Sequence, residues 1–428
     1  MRFNIHFGSD EFPNLVAEFV RIVGLDALRK RFEWIDDELS KNAYMRDWIE
    51  QRCRLELTLR RVMTKLGEKA RSFSPSNYAE YELLAFLGGI ARIYPRLSGK
   101  AQRRIRGMLA SGLDSNRGNL LSIQHEVTTA VHLRRQGFNV IFNDLESGGD
   151  FDFLARKGRI EAEAECKMIS GDLGRKIHLR RSRELFKKVE DSMHAAYKES
   201  DRGTLIRITI PDRLGASVEQ HQGIKQTVLA ALLNDDDAAR SPFCEVRVTR
   251  FEIADSPFEH ARTGELDKSR VSEFLELLTG QNQTHSICIF SPGNRAAIVM
   301  LESQKKDEML LSFRSVLKDS VSNQFTKRRP ALLAVQIHDL SEDQLRELAG
   351  LDSREWESAT GLQALTSRFL QSPNRSHVLG IAYRAHGKLL TQEGTTTADS
   401  VAYFIKNRDH PVASDPEYSV FSATPKKT

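Results

Sequence analysis

Two aspartates, a glutamate and a lysine lie close together in the segment between Gly148 and Lys167. Asp150 is followed by Asp152, which precedes Glu165 by 13 positions, and Lys167 comes two positions later. Hard divalent cations such as Mg²⁺ take one or two carboxylates, with waters and substrate phosphate oxygens completing the shell. The bound metal activates water, and a neighbouring ammonium group orients that water and stabilises developing charge. These residue types are therefore suited to hydrolysis of a phosphodiester.

Alternating residue types predict how these side chains are positioned. From Arg159 to Met168, charged residues alternate strictly with small or apolar ones, and a period of two is that of a strand. The Asp150–Leu154 segment repeats the pattern, with its aspartates on one face and its phenylalanines on the other. The Arg156-Lys157-Gly158 segment between them is short enough for a hairpin turn. If the strands pair, Asp152 lies on the same face as the Glu165–Lys167 end.

A second interpretation of the charged strand stays open, because a strand with one charged face is usually an antiparallel strand exposed to solvent. The opposite face carries the small residues Ala162, Ala164 and Cys166. Small residues favour a central strand that a helix approaches closely, since an exposed strand more often carries branched side chains. In the metal-site interpretation, Glu161 and Glu163 lie further down the strand and take no part in the chemistry, with Glu163 as a reserve metal ligand.

In these motifs and their order, the chain resembles the PD-(D/E)xK nuclease superfamily, especially its Mrr-like restriction endonuclease and archaeal Holliday junction resolvase branches. The resemblance implies that Asp152 and Glu165 bind Mg²⁺ or Mn²⁺. It also implies that Glu165-Cys166-Lys167 is the E-x-K element, with Lys167 as the catalytic lysine. Two features depart from the family pattern: no proline precedes the aspartate, and Asp150 competes with Asp152 as the metal ligand.

A helix is predicted upstream of the motif, where apolar residues at helical spacing form one stripe. Glu126 lies beside this stripe, three residues after Ile123. Many family members carry a glutamate on the first core helix, followed by a glycine and a strand; here Gly137 and the segment 138–142 follow. The resemblance thus implies an auxiliary catalytic role for Glu126, in contact with metal or water. Without it, Glu126 would be the exposed flank of a helix.

Basic residues follow the E-x-K element and predict a contact with nucleic acid. Side chains at the start of a helix that leaves the active-site strand can neutralise phosphates without reading the base sequence. We expect this of Arg175, Lys176 and Arg180. The alternative is that they form the solvated face of a helix, as most runs of charge do.

Composition is compatible with this function but does not require it. The 428 residues leave room for two or three domains, and 40% hydrophobic residues can form a core. A formal net charge of +5 permits a nucleic-acid partner. The 4 cysteines are scattered singly, which argues against a zinc site or a disulfide framework and favours the cytoplasm. We expect no membrane association, because no apolar run is long enough to span a bilayer and the N-terminus lacks the features of a signal peptide.

We expect an α/β protein in which an all-helical N-terminal domain precedes a restriction-endonuclease-like mixed β-sheet core flanked by helices. The predicted domains are 1–115 (helical), 116–412 (nuclease-like, with additional strands and helices) and 413–428 (a flexible tail). Beyond the minimal nuclease core, Thr204–Ile210 is the predicted fourth strand, closed by Pro211, and we expect the sheet to continue there into a larger mixed α/β body. The basic helical domain is a candidate surface for a partner protein or for homo-oligomerisation.

These features together predict a metal-dependent nuclease that acts on nucleic acid, with DNA as the expected substrate. Analogy at the level of the fold suggests a role in phage or plasmid defence or in DNA repair. A catalytically inactive nucleic-acid-binding or scaffold subunit of a larger complex, retaining the nuclease fold, is the alternative.

Overall fold

The chain forms two compact units. A computed structural model describes residues 10–67, 73–114, 119–198, 202–234, 237–254, 256–258, 268–280, 286–291, 295–341, 361–386, 388–392, 395–399, 402–415 and 418. Unit 1 comprises Met1–Glu38, Ile49–Leu173 and Met309–Thr428, and unit 2 comprises Leu39–Trp48 and Gly174–Glu308. Most of unit 2 is thus an insertion in the sequence of unit 1.

Helices and strands are both plentiful, which confirms the predicted mixed α/β class with helices at the N-terminus. The α-helices are α1 (Phe12–Val23), α2 (Leu25–Lys41), α3 (Arg46–Arg52), α4 (Arg54–Leu66), α5 (Tyr78–Ile93), α6 (Gly99–Gly112), α7 (Leu120–Arg135), α8 (Asn143–Glu146), α9 (Leu179–Lys198), α10 (Val218–Leu233), α11 (Lys268–Thr279), α12 (Met309–Asn323) and α13 (Leu362–Leu370). The strands are β1 (Asn139–Phe142), β2 (Phe153–Lys157), β3 (Ile160–Ile169), β4 (Gly203–Ile210), β5 (Ala238–Arg240), β6 (Glu245–Phe251), β7 (Ser286–Ser291), β8 (Arg295–Ser303), β9 (Ala331–Ser341), β10 (Val378–His386), β11 (Lys388–Gln392), β12 (Thr395–Asp399) and β13 (Ala402–Lys406).

A six-stranded mixed sheet in the order β1-β2-β3-β9-β10-β13 forms the centre of unit 1. The first three strands pair antiparallel, and β9 lies parallel to β3. Lys157 pairs with Ile160, so the hairpin turn consists of Gly158 and Arg159. The predicted turn at residues 156–158 was therefore placed slightly too early. A two-residue hairpin turn requires a left-handed residue, and Gly158 has a φ of +58°.

Both faces of this sheet are covered. The small residues of β3 lie on the face that α7 covers. On one face, Ala162, Ala164 and Cys166 share a buried core with α7 and with helices from the first 115 residues. Phe313 and Leu317 of α12 belong to a second core, on the other side of the sheet. The prediction of a central rather than an edge strand is confirmed. The helices before residue 115 pack into the same core as the sheet, so the compact units do not divide at that position.

Unit 2 contains a separate five-stranded sheet in the order β5-β6-β4-β8-β7. The predicted strand Thr204–Ile210 forms as β4, but it pairs with β6 and β8. The expectation that the sheet of β1, β2 and β3 continues through this strand was therefore wrong. The neighbour of β3 is β9, because strand pairing depends on contacts between distant segments that a local pattern does not encode.

Within the described residues, no helix is both long enough and apolar enough to cross a bilayer. Of the predicted flexible tail, residues 413–415 and 418 belong to the described residues, and Tyr418 is buried in the core of unit 1. The rest of that segment lies outside them.

Candidate functional site

The β2–β3 hairpin brings Asp152, Glu165 and Lys167 together, as the alternation predicts. Asp152 immediately precedes β2, and its backbone N–H donates to Glu165 Oε2 at 3.2 Å. In return, the backbone N–H of Cys166 donates to Asp152 Oδ2 at 2.6 Å. Lys167 Nζ lies 2.6 Å from Glu165 Oε1. The two carboxylates and the ammonium group are thus held side by side by main-chain and side-chain contacts of one hairpin.

Helix α7 contributes Glu126 to the same group of carboxylates. Burial raises the pKa of Glu126 well above its ordinary value, and the negative charges of Asp152, Asp144 and Glu165 raise it further. Lys167 acts in the opposite direction. Glu126 therefore lies within electrostatic reach of the hairpin residues. The structure brings together all four residues that the sequence proposes as catalytic.

Asp144 is an acidic neighbour that the sequence analysis missed. It lies on α8, the single helical turn that follows β1. Burial raises its pKa to about 6, while backbone amides and the charge of Arg104 lower it. Its own charge raises the pKa of Glu126, Asp152 and Glu165. Its place directly after a predicted strand was the only available signal, and that signal is weak because acids are common at such positions.

The cluster contains more carboxyl groups than Lys167 can neutralise. Burial raises the pKa of Asp152 to about 8, with the charge of Glu165 adding to the effect and the Cys166 amide opposing it. Burial also raises the pKa of Glu165, although the hydrogen bond from Lys167 counteracts this. Carboxylates that share a site disfavour one another's ionised form, and an added cation relieves that repulsion. Strongly shifted acids in one place are typical of functional sites.

These pKa shifts predict that the thermal stability of the chain falls as pH rises from about 6.5 to about 8. An acid with a raised folded pKa adds stability that is present below its unfolded pKa, about 4. That contribution is lost as pH rises through the folded pKa, about 8 for Asp152. Buried histidines such as His125, whose pKa burial lowers to about 3, have the opposite effect. They act only below their unfolded pKa of about 6.5.

The substitution Asp152→Asn should flatten this decline and raise the melting temperature at the alkaline end. One proton contributes at most about 1.4 kcal/mol per pH unit, and solvent screening of the half-buried carboxyl narrows the pH range over which this slope applies. Calorimetric melting at several pH values measures the slope. Equal slopes in the variant and the wild type would show that another group is responsible.

The donor chemistry of the cluster fits Mg²⁺ or Mn²⁺. Mg²⁺ keeps several waters and needs only one or two protein carboxylates, which Asp152 and Glu165 provide. Among the described residues, no group of three or more histidine, cysteine, aspartate or glutamate side chains is placed so that it could hold a metal ion. The fit therefore rests on the two carboxylates of the hairpin, with water and substrate oxygens as the remaining ligands.

Asp150 differs from Asp152 in its surroundings. Its side chain is exposed, whereas its backbone carbonyl oxygen accepts a hydrogen bond from the Gln324 amide at 2.7 Å once the amide nitrogen is turned towards it. The carboxylate contacts that link the two strands come from Asp152. The geometry favours Asp152 over Asp150 as the metal ligand.

The charged face of β3 is not a solvated surface. Glu163 is 0% exposed and Glu165 is 2% exposed. The Thr326 backbone N–H donates to Glu163 Oε2 at 2.8 Å, and the Thr326 hydroxyl donates to Glu163 Oε1. Arg329 donates to Glu163 Oε1 at 3.3 Å. These contacts favour a structural role for Glu163, which links β3 to the segment of Thr326 and Arg329, over the role of reserve metal ligand that the sequence suggests.

The three predicted phosphate-binding residues lie in unit 2, and two of them have acidic partners there. Lys176 Nζ lies 3.4 Å from Glu308 and 3.6 Å from Asp212, and its side chain is only 13% exposed. Arg180 pairs with Glu184 at 2.9 Å and stacks over Trp48. Arg175 is half-buried. These contacts favour a structural role for Lys176 and Arg180.

Comparison of the chain with protein-family models, with curated proteins and with solved structures finds no match. The functional proposal therefore depends on the geometry of the carboxylate cluster and its lysine.

Proposed function

We propose that this chain is a metal-dependent nuclease of the PD-(D/E)xK type that hydrolyses phosphodiester bonds, with DNA as the substrate. The observation that carries the proposal is the cluster at the β2–β3 hairpin. Two carboxylates bridged by backbone amides, Asp152 and Glu165, lie beside Lys167, with Glu126 of α7 within electrostatic reach of them. This combination of negatively charged metal ligands and one ammonium group suits phosphodiester hydrolysis, because water must be activated beside an anionic substrate.

The arrangement of the elements around the site supports the proposal. In chain order, α7 is followed by the antiparallel strands β1, β2 and β3, and then by α12 and the parallel strand β9. The resemblance implies a mixed β-sheet core flanked by helices, and these elements are consistent with it. In this interpretation unit 2 is an insertion between β3 and α12.

Each residue of the cluster has a distinct role in the proposed reaction. Lys167 Nζ, held at Glu165 Oε1, orients the attacking water and stabilises the charge that develops on the phosphate. The Cys166 N–H fixes Asp152 Oδ2, and the Asp152 N–H fixes Glu165 Oε2. Mg²⁺ or Mn²⁺ bound by these carboxylates would supply further charge stabilisation and acidify a bound water. Burial and the neighbouring acids raise the pKa of Glu126 well above its ordinary value, which suits an auxiliary role in contact with metal or water.

A cleavage assay with the purified full chain tests the proposed function. We expect nicking or degradation of duplex DNA in the presence of Mg²⁺ or Mn²⁺ and its loss in EDTA. Asp152→Asn should be inactive in the same assay, which separates the protein from a contaminating nuclease. Binding of DNA without cleavage, under every metal condition, would instead support the catalytically inactive binding or scaffold protein.

The salt dependence of DNA binding tests the predicted basic contacts. Three lost phosphate contacts would flatten the slope of log affinity against log salt by about 0.9 each on duplex DNA. Because Lys176 and Arg180 are already ion-paired, we expect these two residues to contribute little to the slope, so the triple alanine variant of Arg175, Lys176 and Arg180 should lose clearly fewer than three such increments. Fluorescence anisotropy over a range of salt concentrations measures the slope. A loss near three increments would establish all three residues as phosphate contacts.

We also propose a cytoplasmic location, which suits singly placed cysteines and a nucleic-acid substrate. A partner protein or a second copy at the N-terminal helices stays part of the proposal, and light scattering of the purified chain tests the second of these.

A further inference from the structure

The connection between α12 and β9, residues 324–330, lies along the charged face of β3. The backbone N–H of Glu163 donates a hydrogen bond to the Pro330 carbonyl oxygen at 2.9 Å. Arg329 Nε donates to Glu161 Oε2 at 3.0 Å, and Thr326 donates to both oxygens of Glu163. The connection therefore meets β3 at successive glutamates of one face.

Gln324 makes the contact at the active-site end of this connection. With its amide nitrogen turned towards the sheet, it donates to Glu165 Oε1 at 3.0 Å and to the Asp150 carbonyl oxygen at 2.7 Å. The opposite orientation of the amide would place its oxygen against these two acceptors, so the donating orientation is the physical one. The amide thus joins the E-x-K strand to the segment that leads into Asp152.

The type of side chain at each contact matches a different task. Arg329 offers positive charge to Glu161 and Glu163, which suits carboxylates with a structural role. Gln324 is neutral, so it orients Glu165 without cancelling the charge that a cation requires. Groups that hydrogen-bond to metal-binding carboxylates commonly set ligand orientation in this way.

Both oxygens of Glu165 are thereby fixed. Oε1 accepts contacts from Lys167 Nζ and the Gln324 amide, and Oε2 accepts a hydrogen bond from the backbone N–H of Asp152. Without Gln324, the carboxylate would be held from the hairpin alone, and the Asp150 carbonyl would lose its link to α12. We infer that Gln324 is a positioning residue of this site, which holds Glu165 and the Asp150–Asp152 segment in their mutual arrangement. Its catalytic consequence rests on the proposed nuclease function, whereas its effect on the local backbone does not.

The substitution Gln324→Met tests this inference, because methionine has a similar volume but no amide donors. We expect Mn²⁺ affinity, measured by titration calorimetry on the full chain, to fall by about 10- to 100-fold. The kcat for DNA cleavage should fall by a similar factor, with little change in KM, because the substitution leaves the DNA-binding surface intact. Amide hydrogen exchange of the segment 148–153 should become faster.

Thr326→Val is the matched control in the same connection. It removes the hydroxyl contact to Glu163 at nearly constant shape, so we expect a melting temperature lower by roughly 2–5 °C. Mn²⁺ affinity and exchange in the segment 148–153 should stay at wild-type values. Comparable losses of Mn²⁺ affinity in both variants would reduce Gln324 to general structural support and overturn the inference.

Two further outcomes keep the inference separate from the proposed function. If the wild type binds Mn²⁺ and Gln324→Met binds it equally well, the positioning role is overturned, whatever the exchange data show. If the wild type neither binds Mn²⁺ nor cleaves DNA, the proposed function fails. Hydrogen exchange then decides alone whether Gln324 holds the Asp150–Asp152 segment.

Discussion

Lys167→Ala is expected to lower the kcat for DNA cleavage by about 10²- to 10³-fold, the usual effect of removing one group that stabilises a transition state. Lys167 Nζ contacts the site through Glu165 Oε1 at 2.6 Å, and its side chain is 31% exposed. A lysine that acts mainly on the transition state contributes little to ground-state binding. DNA affinity should therefore stay close to the wild-type value, as anisotropy can show beside single-turnover cleavage.

Lys157→Ala is the control for this prediction, since Lys157 belongs to the same hairpin. Its Nζ donates to the Gln136 carbonyl oxygen at 2.7 Å and takes no part in the carboxylate cluster. Its substitution should leave cleavage within about twofold of wild type. Full activity in Lys167→Ala would remove the lysine from the mechanism.

Glu163→Gln and Glu165→Gln should have opposite consequences, although the two residues lie two positions apart on the same face of β3. Glu163 accepts hydrogen bonds from Thr326 and Arg329 while fully buried. Hydrogen bonds to a charged group contribute about 1.5–3 kcal/mol, so Glu163→Gln should lower the melting temperature by roughly 3–10 °C. Its Mn²⁺ affinity should be nearly unchanged.

Glu165→Gln removes a charge from a cluster whose members raise one another's pKa. We therefore expect an unchanged or higher melting temperature together with loss of Mn²⁺ binding and of cleavage. Calorimetric melting and Mn²⁺ titration on the two variants provide the comparison. A large loss of stability in Glu165→Gln with retained cleavage would show that Glu165 is structural, and would contradict its assignment as a metal ligand.

The local arrangement of the candidate site was predictable because it depends on residues that are close in sequence. The period of two in β3 and its repetition before β2 predict which side chains share a face, and pairing of the hairpin then places Asp152 opposite Glu165. The small residues Ala162 and Ala164 correctly indicated a strand covered by a helix. Each of these inferences uses only backbone geometry and the alternation of side chains.

Periodicity does not reveal what covers a face, and here the cover comes from far along the chain. The partners of Glu163 on β3 are Thr326 and Arg329, which follow the whole of unit 2 in the sequence. A charged face that faces solvent and one that meets a distant polar segment have the same local pattern. The burial of Glu163 could therefore not be read from β3 itself.

The sequence by itself determined the helix of Glu126, the hairpin of Asp152 and Glu165, and the place of Lys167 beside them. Only the tertiary structure decided that β9 rather than β4 pairs with β3, that Asp144 joins the carboxylates, and that Gln324 reaches Glu165. The physical reason is that secondary structure follows from the spacing of neighbouring residues, whereas strand partners and buried polar contacts depend on which distant segments pack together.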